Sequence, residues 1–114
     1  MSVKLTTRQV GEVTVVDAAG RITLGEGAST FRDTLRDLAS NGKKKLLLNL
    51  GEVSYIDSSG IGEMVSGFTT VTNAGGQVKL LNLTKRVKDL LQITKLYTVF
   101  EVFEDEAAAV RSFS

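Results

Sequence analysis

The residues that could do chemistry sit together in Asp57-Ser58-Ser59-Gly60-Ile61-Gly62. A carboxylate and two hydroxyls precede an apolar stripe at helical spacing. Asp57 or Ser58 suits a helix N-cap, because a short side-chain oxygen can accept a free backbone N–H. A serine at such a place also suits phosphorylation. The helix start offers unpaired N–H groups and the positive end of the dipole, which tolerate a phosphate. The phosphate adds roughly −1.5 to −2 charge. A partner docking over uncharged Ser58 would have to desolvate a dianion beside Asp57, at a loss of about 3–5 kcal/mol. Gly60 and Gly62 are poor helix formers, each costing roughly 1 kcal/mol against alanine. Close packing would explain them, and so would access for another protein to Ser58. The expected docking surface is Asp57, Ser58, Ser59, Gly60, Ile61, Gly62 and Met64.

Composition lowers the case for catalysis. The chain has no histidine and no cysteine, so a Ser-His-Asp triad, thiolate nucleophiles and thiolate metal sites are excluded. Ser58 and Ser66 have no histidine to activate them. Gly20 to Gly27 holds no lysine where a phosphate-binding loop needs one. No catalytic residue, cofactor site or metal site is expected. Fourteen basic and 13 acidic residues leave a net charge of +1, which argues against nucleic acid as a direct partner. The run Lys43-Lys44-Lys45 reads as a solvated approach to a strand. The sequence shows no long apolar run and no leader pattern at Met1, so a cytoplasmic protein without a membrane partner is expected.

One domain spanning residues 1–114 must position these groups, since 114 residues suit a single core. Proline is absent, so the glycines punctuate the chain. Val3 to Arg8 and Val13 to Ala19 flank Gly11 and predict a hairpin, with Gly20 ending its second strand. Ala28, Phe31, Leu35, Leu38 and Ala39 recur at helical spacing, and Asn41-Gly42 stops that helix. Leu46 to Leu50 is nearly continuous in apolar residues, as in a strand covered on both faces. Ile61, Met64, Val65, Phe68 and Val71 form a second helical stripe, closed by Asn73 to Gly76. Met64, Val65 and Phe68 read as core, or as a flank to the surface around Ser58. Val78, Leu80, Leu81 and Leu83 predict another strand. Thr84 would cap a third helix carrying Val87, Leu90, Leu91 and Leu96. Lys85, Arg86 and Lys88 read as its solvated face. Val99 to Phe103 predicts a last short strand. Glu104 to Glu106 place negative charge at the start of a final helix, with Arg111 near its other end. Repeated βα units predict an α/β fold with a mostly parallel mixed sheet, one antiparallel N-terminal hairpin strand and about four helices. Sites in such sheets lie beyond the carboxyl ends of the strands, where Asp57 to Gly62 falls.

Tyr55-Ile56-Asp57-Ser58-Ser59-Gly60-Ile61-Gly62 resembles the signature of the STAS-domain anti-sigma factor antagonists. Leu46 to Leu50 followed by Val53, the turn Asn73-Ala74-Gly75-Gly76, and the stripe Val87, Leu90, Leu91 and Leu96 agree with that family in order. The resemblance implies a bacterial partner-switching protein. Its unphosphorylated form would bind an anti-sigma factor that is also a serine kinase, releasing the sigma factor. Phosphorylation of Ser58, with Ser59 the lesser candidate, would end the binding, and a PP2C-type phosphatase would restore it. Asp57 would position the serine. A monomer or weak dimer would suffice. Family members often carry G-x-L-D after the second strand. Gly20-Arg21-Ile22-Thr23 places Thr23 at that aspartate, followed by Gly25-Glu26-Gly27.

Three rivals follow from other chemistries. A phospho-aspartate receiver would need an adjacent acidic pair for Mg²⁺, and Asp17 stands alone. An enzyme lacks an activating base. A STAS scaffold or nucleotide-sensing module, without sigma-factor release, could use Gly25 and Gly27 at a helix start to meet a phosphate. The plainer reading of those glycines is a structural turn.

Overall fold

Residues 3–113 are described by the computed structural model; Met1, Ser2 and Ser114, at the ends of the expected span, lie outside them. The β-branched run at Val13 to Val16 and the leucines at 46–48 have their side chains buried on both faces of the sheet. The elements are β1 (Val3–Val10), β2 (Val13–Ile22), α1 (Glu26–Ser40), β3 (Lys45–Ile56), α2 (Ser58–Asn73), β4 (Gln77–Leu81), α3 (Lys85–Ile93), a 3₁₀ turn (Leu96–Thr98), β5 (Val102–Phe103) and α4 (Glu106–Arg111). The strands lie in the order β1-β2-β3-β4-β5. β1 and β2 are antiparallel, and the remaining pairs are parallel. This is the expected α/β fold with its hairpin strand and four helices.

Two cores divide the apolar residues. The larger joins Val16, Leu46, Leu48, Leu50, Val53 and Ile56 of the sheet to Phe31 and Leu35 of α1, Ile61 and Met64 of α2, and Val87 and Leu91 of α3. The smaller joins Val13, Val15, Leu47 and Leu81 to Ala109 of α4 and Phe113. Leu46 to Leu50 therefore reads as a continuous apolar run because helices cover both faces of its strand. α1 and α2 pack closely because Gly67 makes room for Leu35; a Cβ at Gly67 would come within 3.3 Å of the Leu35 Cβ.

Several boundaries differ from the sequence expectations, each for a local reason. β2 continues through Gly20 to Ile22. Gly20, at φ 106°, sits where the register with β3 shifts, so this glycine serves a bulge inside the strand and does not end it. β3 runs on to Ile56. Two register shifts insert extra residues in β3 opposite β2, so its inward positions fall at 46, 48, 50, 53 and 56. That spacing breaks strict alternation and hides the second half of the strand. Leu83 lies outside β4, because Asn82 turns the chain at φ 58°. Leu96 belongs to the 3₁₀ turn and not to α3, because Lys95 stands in the left-handed region at φ 62°. Of Val99 to Phe103 only Val102 and Phe103 pair as strand, while Phe100 turns into the larger core.

The caps match the residue types. Thr84 Oγ1 accepts from the Val87 N–H, and Asp105 Oδ2 accepts from the Ala108 N–H at 2.9 Å. Lys45 pairs with Glu12 at 2.8 Å. Arg8 holds α4 against β1 and β2. It donates to Asp17 at 2.6 Å and to Glu106 at 2.6 Å. Hydrogen bonding from Arg8 holds the Asp17 and Glu106 carboxyls below their ordinary values, against an opposing push from burial. Among the described residues no helix is long and apolar enough to cross a membrane.

Candidate functional site at the start of α2

β3 delivers the chain to the site with Ile56 turned into the core. Asp57 follows in extended conformation and is the N-cap of α2. Its backbone N–H donates to the Ile22 carbonyl at 3.3 Å, and its own carbonyl accepts from the Ile61 N–H at 3.0 Å. The two carboxylate oxygens are spent in different directions. Oδ1 accepts from the Gly60 N–H at 3.0 Å, closing the first turn of α2. Oδ2 accepts from the Leu24 N–H at 3.0 Å, tying down the loop between β2 and α1. Burial pushes the Asp57 carboxyl up. Backbone N–H groups of Leu24, Gly60, Ser59 and Asp57 itself outweigh it and hold the group below its ordinary value.

Ser58 is the first residue of α2 and is exposed, whereas Ser59 is half-buried. The structure therefore places the Ser58 hydroxyl in solvent, beside a fixed carboxylate and at the positive end of a 16-residue helix. A phosphate there would meet the positive end of the helix dipole, although Asp57 already takes the Gly60 and Ile61 N–H groups of the first turn.

The two glycines of the motif answer to different causes. A Cβ at Gly60 would collide with the Ile22 carbonyl oxygen and stand 2.7 Å from Ile56 Cγ1. Gly60 is a packing glycine that lets α2 start hard against β2. A Cβ at Gly62 would meet nothing within 4 Å. Gly62 is exposed and leaves a bare backbone on the open side of the helix.

The expected docking surface needs correction at its inner members. Met64 is 0% exposed and Ile61 5%, and both belong to the larger core. At helical spacing from Asp57 they fall on the buried side of α2, so their side chains do not face a partner. Val65 and Phe68 pack partly against the same core. Asp57, Ser58, Ser59 and Gly62 remain at the surface.

Sequence reasoning missed the loop that Asp57 holds. Leu24 is 80% exposed beside the site. Its backbone is fixed by Asp57, and by Gly25 at φ 101°, which is the N-cap of α1. A Cβ at Gly27 would stand 2.7 Å from the Arg21 carbonyl oxygen, so this glycine serves close packing. The glycine doublet around Glu26 was the signal of a fixed loop. Nothing in the spacing told that its anchor lies 33 residues away. Thr23, at the place of the family aspartate, is half-buried and gives its carbonyl to the Ala28 N–H at 2.9 Å.

The profile of the STAS domain matches residues 4–109. The chain belongs to the STAS domain family. Among its relatives is the anti-sigma-B factor antagonist of Bacillus subtilis, 34% identical over 102 residues, which are 90% of this chain and 92% of that protein. An anti-sigma factor antagonist from Mycobacterium paratuberculosis shares its fold at a TM-score of 0.87, with 15% identity over 98% of this chain and 94% of the other. The phosphorylated form of the Bacillus cell fate determinant SpoIIAA aligns at a TM-score of 0.77, with 18% identity over 97% of this chain and all of that one. This STAS domain thus carries its serine-bearing turn on the scaffold that those proteins share.

Proposed function

We propose that this STAS domain is an anti-sigma factor antagonist switched by phosphorylation of Ser58. Its unphosphorylated form binds an anti-sigma factor that is also a serine kinase, and the sigma factor is released. The observation that carries this reading is the exposed Ser58 hydroxyl on a helix start whose cap, Asp57, is already saturated by backbone N–H groups. A cap with both oxygens engaged does not reorganise when its neighbour gains charge. The dianion then changes the surface and leaves the helix in place. Likeness to the anti-sigma-B factor antagonist of B. subtilis supports the partner class. Likeness to a protein solved in a phosphorylated form supports the kind of switch.

On this reading a PP2C-type phosphatase resets Ser58. Ser59 is the poorer acceptor because it is half-buried. The domain binds and is modified; it performs no catalysis of its own. The switching takes place in the cytoplasm. The test is to incubate the protein with ATP and a kinase-type anti-sigma factor, then map phosphate by peptide mass spectrometry. A single phosphate on Ser58, absent from Ser58→Ala, is expected. Phosphate on Ser59 or elsewhere with Ser58 unmodified contradicts the reading.

A further inference from the structure

Tyr55 lies between two arginines. The Arg21 guanidinium carbon is 4.7 Å from the ring centre, and that of Arg86 is 4.3 Å from it. Arg21 pairs directly with Tyr55 across β2 and β3, while Arg86 comes from the first turn of α3. The three residues therefore gather at the carboxyl ends of β2 and β3 and the start of α3, with Tyr55 two positions before Asp57 and three before Ser58. Among the described residues neither arginine has a carboxylate within 4.0 Å, and neither guanidinium donates a hydrogen bond within the chain. Their neighbours differ: Lys85 pairs with Asp89 at 2.9 Å and Lys88 with Glu104 at 3.7 Å.

Two like charges on one ring repel each other, and the fold gains no ion pair from holding them there. Attraction to the ring is worth about 0.5–1 kcal/mol for an exposed pair, so it offsets part of that repulsion. What the stack achieves is order: two planar forks of N–H donors are held at fixed positions on the rim from which Ser58 projects. Arginine forks of this kind match carboxylates in bidentate pairs.

We propose that Arg21, Tyr55 and Arg86 form the electrostatic half of the docking surface and take a carboxylate-rich segment of the partner protein. The inference rests on the reading of Ser58 as the switched residue and adds the chemistry of what meets it. A protein acid is the fitting occupant, because a chain with net charge +1 lacks the basic excess that binding along a nucleic-acid backbone usually calls for. The patch steers an acidic rim onto the uncharged site. Charge complementarity of this type acts chiefly on association rate and on its salt dependence.

The probe is a capped hexaglutamate peptide, titrated into the ¹⁵N-labelled full chain, with hexaglutamine as the neutral control. Arg21 and Arg86 Nε–Hε signals and the Tyr55 amide are expected to shift with hexaglutamate alone. The Tyr55 amide shift should vanish in the Arg21→Gln, Arg86→Gln double variant, and all three shifts should persist in Arg36→Gln, which removes an exposed charge from α1. With a kinase-type anti-sigma factor, the double variant should associate at least tenfold more slowly at low salt and lose most of its salt dependence. Circular dichroism melts identify any variant that fails to fold, and the single variants then carry the comparison. Shifts produced by an oligothymidylate and not by hexaglutamate overturn the assignment. So does a double variant that associates like the unsubstituted chain while Ser58→Asp does not bind. If Ser58→Asp itself binds fully, it is the switch reading that fails, and the peptide shifts still report on the patch.

Discussion

Asp57 fastens the Leu24 loop to the start of α2: Oδ2 accepts the Leu24 N–H at 3.0 Å while Oδ1 accepts the Gly60 N–H at 3.0 Å. One carboxylate thus fixes both borders of the exposed Ser58. Asp57→Ala removes an N-cap and leaves the Leu24 amide without its partner. A loss of about 1–2 kcal/mol in unfolding free energy is expected. Urea unfolding should show a lower midpoint with an unchanged slope. An unchanged midpoint would mean that the cap contributes nothing.

Gly60 and Gly62 should respond in opposite directions to alanine. At Gly60 the new methyl group meets the Ile22 carbonyl and Ile56. Overpacking against backbone costs about 1–3 kcal/mol. At Gly62 the space is open, and alanine gains up to about 1 kcal/mol of helix propensity. Thermal melts of the two single variants should therefore fall on either side of the unsubstituted protein. A Gly60→Ala variant as stable as Gly62→Ala contradicts the packing assignment.

Acid should loosen the fold through its paired carboxyls. Asp17 and Glu106, hydrogen-bonded to Arg8, and Asp57, on its backbone donors, all titrate below their ordinary values when folded. Carboxyls of the unfolded chain titrate near pH 4. The folded state therefore binds protons less readily, and the stabilisation is complete above about pH 4. It is lost as pH falls through the lowered folded values. Urea midpoints should hold steady from neutral pH down to that range and then drop. Asp17→Asn should be less stable at neutral pH and show a smaller acid loss. A midpoint that rises on acidification contradicts the assignment.

Much of the fold could be read from the sequence because local signals agree with packing. Phe31, Leu35, Val71, Val87 and Leu91 lie where helical spacing put them, in the core. Thr84 and Asp57 cap the helices that they precede. What escaped is what depends on the partner strand. The bulges opposite Asp17 and Gly20 conceal the length of β3 from any test of alternation. For Met64 the spacing left core and docking flank both open, and the close seat of α2 against β2 at Gly60 goes with its turn into the core. The Arg21–Tyr55–Arg86 stack joins residues 34 and 31 positions apart. Spacing along one strand or helix cannot reveal such a cluster.

The switch stands on whether charge at Ser58 repels a partner without unfolding its host. The direct measurement is binding of a kinase-type anti-sigma factor to Ser58→Asp and Ser58→Ala, beside a thermal melt of each. Ser58→Asp should melt like the unsubstituted chain and bind at least about a hundredfold more weakly, while Ser58→Ala binds fully and takes up no phosphate. An aspartate variant that is folded and binds as tightly as the unsubstituted chain contradicts the switch.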